Sequence, residues 1–279
     1  MSGFSADWLA LRESADHAAR NRRLVDLVAA RFADLDHVGV LDLACGTGSN
    51  LRAQAPHLPA RQRWRLVDHD PQLLDAARAA LIAWADRVER QTPLTLLRAD
   101  RRLEIVFDRS DLARFDRNLL APDLDLVTGA AFFDLVSAPW IEDFCAALAE
   151  RRLPLYAVLS YDGRERWSPT HGADDELLAA FLADQRRDKG FGPAAGPGAA
   201  ALLQDALERR GYDVETAPSP WRLGPAEKDL IRALAEGSAQ AVAETGRVPA
   251  PVVSDWRASR CRAESCEIGH VDLFAQRRN

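Results

Sequence analysis

The sequence predicts an α/β fold in which a mostly parallel sheet carries helices on both faces. Three observations predict it. Short apolar runs of strand length alternate with longer stretches of helical periodicity. The first run, Val38-Gly39-Val40-Leu41-Asp42-Leu43, leads straight into the glycine-bearing turn Ala44-Cys45-Gly46-Thr47-Gly48 and then a helix. Strands that alternate with helices need crossover connections, which give parallel pairing and a sheet covered on both sides.

The elements follow in order. Residues 5–33 read as helical, with Trp8, Leu9, Leu11, Ala15, Ala18 and Ala19 and then Leu24, Leu27 and Val28 at helical spacing. Strands are predicted at 38–43, 64–68, 103–107, 124–128 and 155–160. Helices are predicted over 71–90, where Leu73, Leu74, Ala77, Leu81 and Trp84 share one side, and over 141–151. Beyond Tyr161 the pattern changes. A helical stretch at 174–187 is followed by the glycine- and proline-rich loop 190–198, read as a lid or hinge. A helix over 199–210 stops at Gly211. Strands at 212–216 and 268–275 flank a mostly helical segment, 225–262, and bring the total to seven. The expected organisation is one domain: a helical cover (1–37), a central core (38–161), a lid-like insertion (162–198), and a last part of the sheet (199–279).

Composition narrows the function. Of 279 residues, 47% are hydrophobic and 28% charged, which supports a buried core and excludes wholesale disorder. The net charge of −6 argues against general affinity for nucleic acid. No apolar stretch has signal-peptide or bilayer length, so a soluble, cytoplasmic protein without a membrane partner is expected. Cys45, Cys145, Cys261 and Cys266 are too scattered for a zinc site and read as free thiols. His171 and His270 are isolated, so no metal is expected.

The turn after the first strand carries the chemistry. Gly46 and Gly48 let the backbone approach a ligand closely, and the helix beyond offers unpaired N–H groups. Such a loop suits either dinucleotide phosphates or the amino-acid end of S-adenosylmethionine (SAM). A dinucleotide loop wants a third glycine, but Leu51 stands in its place. Asp42, inside the strand end, can orient the loop and meet a cationic amino group.

Asp42-Leu43-Ala44-Cys45-Gly46-Thr47-Gly48 resembles the first motif of class I SAM-dependent methyltransferases. The resemblance extends to Asp68, with His69 beside it, at the end of the second strand. It covers residues 38–161 best. It implies SAM as cofactor, with Asp42, Ala44, Gly46 and Gly48 around its amino-acid end. It implies that Asp68 accepts from both ribose hydroxyls, which suits a carboxylate's two oxygens. Asp70 is the alternative, although an N-cap before Pro71 explains it adequately. The resemblance places Asp111 at the adenine amino group and Leu112 against the ring, while an aspartate before a helical stretch is also an ordinary cap. It places the methyl-transfer site at the fourth-strand end, from Thr128 to Asp134, and counts His69 and Thr128 among the residues that hold the cofactor. More narrowly, Trp8-Leu9-Ala10-Leu11-Arg12-Glu13, Val67-Asp68-His69-Asp70-Pro71, Leu159-Ser160-Tyr161-Asp162-Gly163, Asp188-Lys189-Gly190-Phe191-Gly192-Pro193 and Pro218-Ser219-Pro220-Trp221-Arg222-Leu223 resemble a group of bacterial small-molecule methyltransferases.

The expected reaction is in-line transfer of a methyl group to a small-molecule acceptor. Asp134, Tyr161 and Asp162 are the candidates for a base, needed only where the acceptor must lose a proton. For Asp162, a turn built on Asp-Gly is the competing explanation. Residues 185–191 combine charges and an aromatic side chain beside glycines, suited to closing over a polar substrate. The rival readings are a nicotinamide-dependent oxidoreductase, a non-catalytic methyltransferase-like partner protein and a nucleic-acid methyltransferase.

Overall fold

A computed structural model describes residues 4–188 and 190–278. Two helices open the chain, α1 (Ala6–Ala19) and α2 (Arg22–Phe32). The Ser5 hydroxyl caps the first, accepting from Trp8 N, and the Asn21 side chain caps the second. The helical reading of 5–33 is therefore interrupted. The Asn21 N–H donates to Asp272 Oδ2 at 2.9 Å rather than into α1, so one helix ends and another begins. Leu24, Val28 and Phe32 form the buried stripe of α2. Helix α1 differs: it buries Arg12, Ala15 and Asp16, while Leu11 is exposed.

The chain continues through β1 (His37–Leu43), α3 (Ser49–Gln54), β2 (Arg61–Asp68), α4 (Pro71–Trp84), β3 (Arg87–Gln91), β4 (Leu94–Arg98) and β5 (Arg101–Arg109). It then forms β6 (Leu126–Ala130), α5 (Ala138–Arg151), β7 (Leu155–Ser168), α6 (Asp174–Gln185), α7 (Ala199–Glu208), β8 (Tyr212–Pro218) and β9 (Trp221–Leu223). Helices α8 (Lys228–Thr245) and α9 (Ala250–Arg260) precede the final strand, β10 (Ser265–Arg277).

The sheet runs β3-β4-β5-β2-β1-β6-β7-β10-β8, with β9 also paired to β10. Strands β5, β2, β1, β6 and β7 are mutually parallel, and β10 lies antiparallel between β7 and β8. The sheet thus has ten strands among the described residues, not seven. Each predicted strand is present, and β3, β4 and β9 are additions. The predicted helix over 71–90 stops at Trp84, and 87–98 turns into an antiparallel hairpin on the outer edge. Its outermost strand is mostly exposed and carries Arg87, Glu89 and Arg90, charges that discourage further edge pairing. Strand β7 extends seven residues into the segment read as a lid.

One sheet face packs Leu41, Leu43 and Val127 against α5 and α7. The other packs Val40, Trp64 and Leu66 beneath α2, Leu51 and α4. A third cluster joins Trp167, Trp221 and Trp256 with α6, α8 and α9 at the far end of β7. Burying side chains of this size contributes roughly 1.5–3 kcal/mol each. Among the described residues, no helix is long and apolar enough to cross a membrane.

Candidate active site

The turn after β1 is a left-handed loop. Ala44, Gly46 and Gly48 have φ of +51°, +53° and +74°. Cys45 N donates to Val67 O and Gly48 N to Cys45 O, both at 2.9 Å. Ala44 stands where glycine would be unstrained, at a cost of about 1–2 kcal/mol. Ala131, just past β6, and Leu159, in β7, share this conformation. Ala44 and Ala131 thus lie just past the carboxyl ends of β1 and β6, and Leu159 sits where the parallel pairing of β7 with β6 ends, a clustering of strained residues along one edge.

Asp68 closes the loop from β2. Its Oδ2 accepts from Gly46 N at 2.9 Å and its Oδ1 from Asp70 N at 3.0 Å, with His69 Nδ1 3.3 Å from Oδ1. Its carboxylate is almost wholly buried, whereas His69 is exposed. Asp70 caps α4, accepting from Gln72 N at 2.8 Å. Asp111 is exposed and caps a single turn, accepting from Ala113 N at 3.0 Å. Leu112 is buried, and its carbonyl accepts from Trp140 Nε1 at 2.7 Å.

Asp42 lies beneath the loop. It is fully buried and accepts from Asn50 Nδ2 at 2.7 Å, while its Oδ2 has no partner among the described residues. Burial pushes its carboxyl up to about 7. Asp42 therefore meets α3 rather than the loop's N–H groups. Thr128 belongs to the same network. Its hydroxyl donates to Tyr156 O and accepts from Asn50 and Gln54. With three partners and no exposure, the Thr128 hydroxyl is committed to this network.

Helix α1 roofs the loop. A Cβ placed on Gly46 would lie 2.9 Å from Leu9 Cδ1. Glu13 holds Arg52 of α3 through two bonds of 2.8 and 2.6 Å, and Arg52 Nη1 donates to Thr47 O at 2.9 Å. His17 Nε2 contacts Ser49 Oγ at 2.9 Å. Sequence reasoning took α1 as a general cover and missed this docking. The signal was polar spacing: Glu13 and His17 are four residues apart, and Arg52 is one turn past Gly48. Trp8 Nε1 and Thr47 Oγ1 are buried without hydrogen-bond partners among the described residues. Thr47 Oγ1 in the loop and Asp42 Oδ2 beneath it thus leave a hydroxyl and an acceptor without partners among the described residues, groups of the kind that could meet an amino-acid end.

The three residues expected as bases lie after β6 and in β7. Asp134 follows β6 and is 8% exposed. Its Oδ1 has no partner among the described residues, and burial pushes its carboxyl up to about 6. The Tyr161 hydroxyl donates to Glu165 Oε1 at 2.9 Å, and burial raises the phenol well above its ordinary value. Asp162 accepts from Arg164 N at 2.9 Å and pairs with its guanidinium, and it lies with Gly163 inside β7 rather than in a turn. His270 sits between Tyr161 and Trp221, lowered to about 3 by burial and hence neutral. The segment 185–191 is partly pinned. Asp188 Oδ1 accepts from Gly190 N and Gly192 N, and Phe191 packs on Phe132 and Trp140. Lys189 lies outside the described residues.

No family model and no curated protein matches the sequence. Solved structures do match the fold. A candidate methyltransferase from Bacillus halodurans C-125 aligns over 91% of this chain and 99% of its own, with 15% identity and a TM-score of 0.51. The YcgJ protein of Bacillus subtilis aligns over 93% and 100%, with 11% identity and a TM-score of 0.51. A mycolic acid cyclopropane synthase complexed with SAH (S-adenosylhomocysteine) aligns over 92% and 84%, with 13% identity and a TM-score of 0.50. The chain has the class I methyltransferase fold.

The antiparallel β10 between β7 and β8 separates this class I sheet from a dinucleotide-binding sheet, whose six strands run 3-2-1-4-5-6. In the class I frame, Gly46 and Asp68 stand together at the carboxyl edge of β1 and β2. Asp134 and Tyr161 stand beyond β6 and in the extended end of β7.

Proposed function

We propose that the chain is a SAM-dependent methyltransferase that acts on a small-molecule acceptor. The observation that carries this reading is the Gly46 amide bonded to the Asp68 carboxylate at one sheet edge. It sets a glycine cradle beside two carboxylate oxygens, where an amino-acid end and a ribose diol can be held together. When bound, SAM supplies an electrophilic methyl group on a sulfonium that leaves as a neutral thioether. The protein's own share is orientation and exclusion of water. Leu9 covers the cradle and α1 is fastened down by the Glu13–Arg52 pair. Isothermal titration tests the reading: SAH and SAM bind and NADH does not. NADH binding without SAH binding would reverse the assignment to an oxidoreductase.

Of the three candidate bases, Asp134 is the one with a free oxygen. Tyr161 is held neutral and Asp162 is committed to Arg164. An acceptor that loses its proton on attack gives it to Asp134, which must be ionised to take it. With a carboxyl at about 6, half the molecules are ready at that pH and most at pH 7. Activity on such an acceptor should fall as pH drops through 6. NMR of 13C-labelled aspartate should show a carboxyl titrating near 6 that vanishes in Asp134→Asn. The Asn variant should lose roughly 10²–10⁴ in kcat, the usual range for one general base. An Asp134 carboxyl that titrates near 4 would remove the case for its burial and for this role.

A further inference from the structure

A second polar cavity lies away from the glycine loop, where the extended end of β7 meets β9 and β10. It measures about 250 Å³ and is lined by Arg164, Arg166, Arg222, Glu267, Pro218 and Pro220, with Gly269 at its floor. Three arginines in one hollow are a local exception in a chain with a net charge of −6. A β-bulge at Leu159 changes the alternation along β7. Tyr161 and Trp167 pack into the third core cluster, while Arg164 and Arg166 line this cavity.

Two of the arginines are oriented. Arg164 is held by Asp162, whose Oδ2 accepts from Nε at 2.9 Å. That arrangement requires glycine at 269, since a Cβ there would lie 2.1 Å from Asp162 Oδ1. Arg222 Nε lies 3.3 Å from Glu267 Oε2. Glu267 stands opposite Arg222 on β9 and opposite Arg166 on β7, so one carboxylate serves a row of two guanidiniums. It goes to Arg222. Arg166 has no hydrogen bond or ion pair among the described residues, and the cavity keeps one positive charge in excess. The two prolines add walls without N–H donors, and Ser219 between them is turned inward to Asp272. The donors facing the hollow are therefore guanidiniums, the groups that best match a phosphate's geometry.

We propose that this cavity binds a small phosphate-type oxyanion, with Arg166 as its principal contact and Arg164 and Arg222 as oriented supports. The site is independent of the methyl-transfer reading and shares no residue with the glycine loop. Isothermal titration of the full chain with inorganic phosphate and with phenyl phosphate, at ionic strength matched with chloride, tests it. Saturable one-to-one binding is expected for both, at least fivefold weaker in Arg166→Gln and lost in Arg166→Gln/Arg222→Gln. Tighter binding of phenyl phosphate identifies a phosphomonoester as the occupant, and equal binding identifies the free ion. Circular dichroism and the unfolding temperature serve as fold controls that do not depend on SAH. No binding of either probe, or wild-type binding by a folded Arg166→Gln protein, overturns the proposal.

Discussion

Gly46→Val is expected to abolish SAH binding, with affinity at least a hundredfold below wild type, while far-UV circular dichroism stays native. Two effects act at this position. The new Cβ would lie 2.9 Å from Leu9 Cδ1, but that atom ends a flexible side chain and can give way. The backbone cannot adapt as cheaply. A φ of +53° is a true outlier for a β-branched residue and costs about 1–2 kcal/mol. Relaxing it swings the amide away from Asp68 and fills the cradle with two methyl groups. Loss of close backbone approach, more than loss of stability, decides the outcome. A folded Gly46→Val protein that binds SAH as the wild type does would show that this loop is not the cradle.

Asp68→Ala is expected to weaken SAH binding at least tenfold and Asp70→Ala less than threefold. Asp68 accepts the Gly46 amide and the Asp70 amide from within the site. Removing it frees the loop and takes away the charged acceptor proposed for the ribose hydroxyls. Hydrogen bonds to a charged group contribute about 1.5–3 kcal/mol each, and 1.4 kcal/mol is tenfold in affinity. Asp70 makes one bond, to Gln72 N at the start of α4. Its loss should cost about 1 kcal/mol of stability and lower the unfolding temperature by roughly 2–4 °C. Asp68→Asn keeps the shape without the charge and should fall between wild type and Asp68→Ala. Calorimetry with SAH and a thermal melt of each variant give the comparison. A large loss in Asp70→Ala with none in Asp68→Ala would move the ribose contact to the other carboxylate.

The central strands were legible because each is a short apolar run with a turn after it. The β3–β4 hairpin was not. Its first strand is mostly charged and exposed, and only Val88 hints at a buried side. The turn at Gly46 and Gly48 was readable because its positive φ angles favour that residue type, whereas Asp68 entered through the resemblance. For Thr128, a position in a strand says nothing about which face the hydroxyl points to. That face holds Asn50 and Gln54, which take up its capacity. Asp111 shows the capping geometry that the sequence already offered as its ordinary explanation. The roofing role of Leu9 was invisible, since periodicity marks it as apolar but does not say that its neighbour is a glycine 37 positions on. Buried Arg12 and Asp16 reverse the usual rule for helix faces, and only their mutual bond and the Trp221 indole explain them.

Asp272 has a consequence for how the molecule is made. This fully buried carboxylate of β10 accepts from Asn21 N, from Leu159 N at the β7 bulge and from the Ser219 hydroxyl. The break between α1 and α2 therefore depends on a residue translated some 250 positions later. A nascent chain can form its central strands and the Glu13–Arg52 contact early, but the bond that holds the α1–α2 break waits until β10 has entered the sheet. Contacts of such sequence separation form slowly. On the ribosome that corner should form last, so that protection of the Asn21 amide from exchange reports completion of the sheet rather than its beginning.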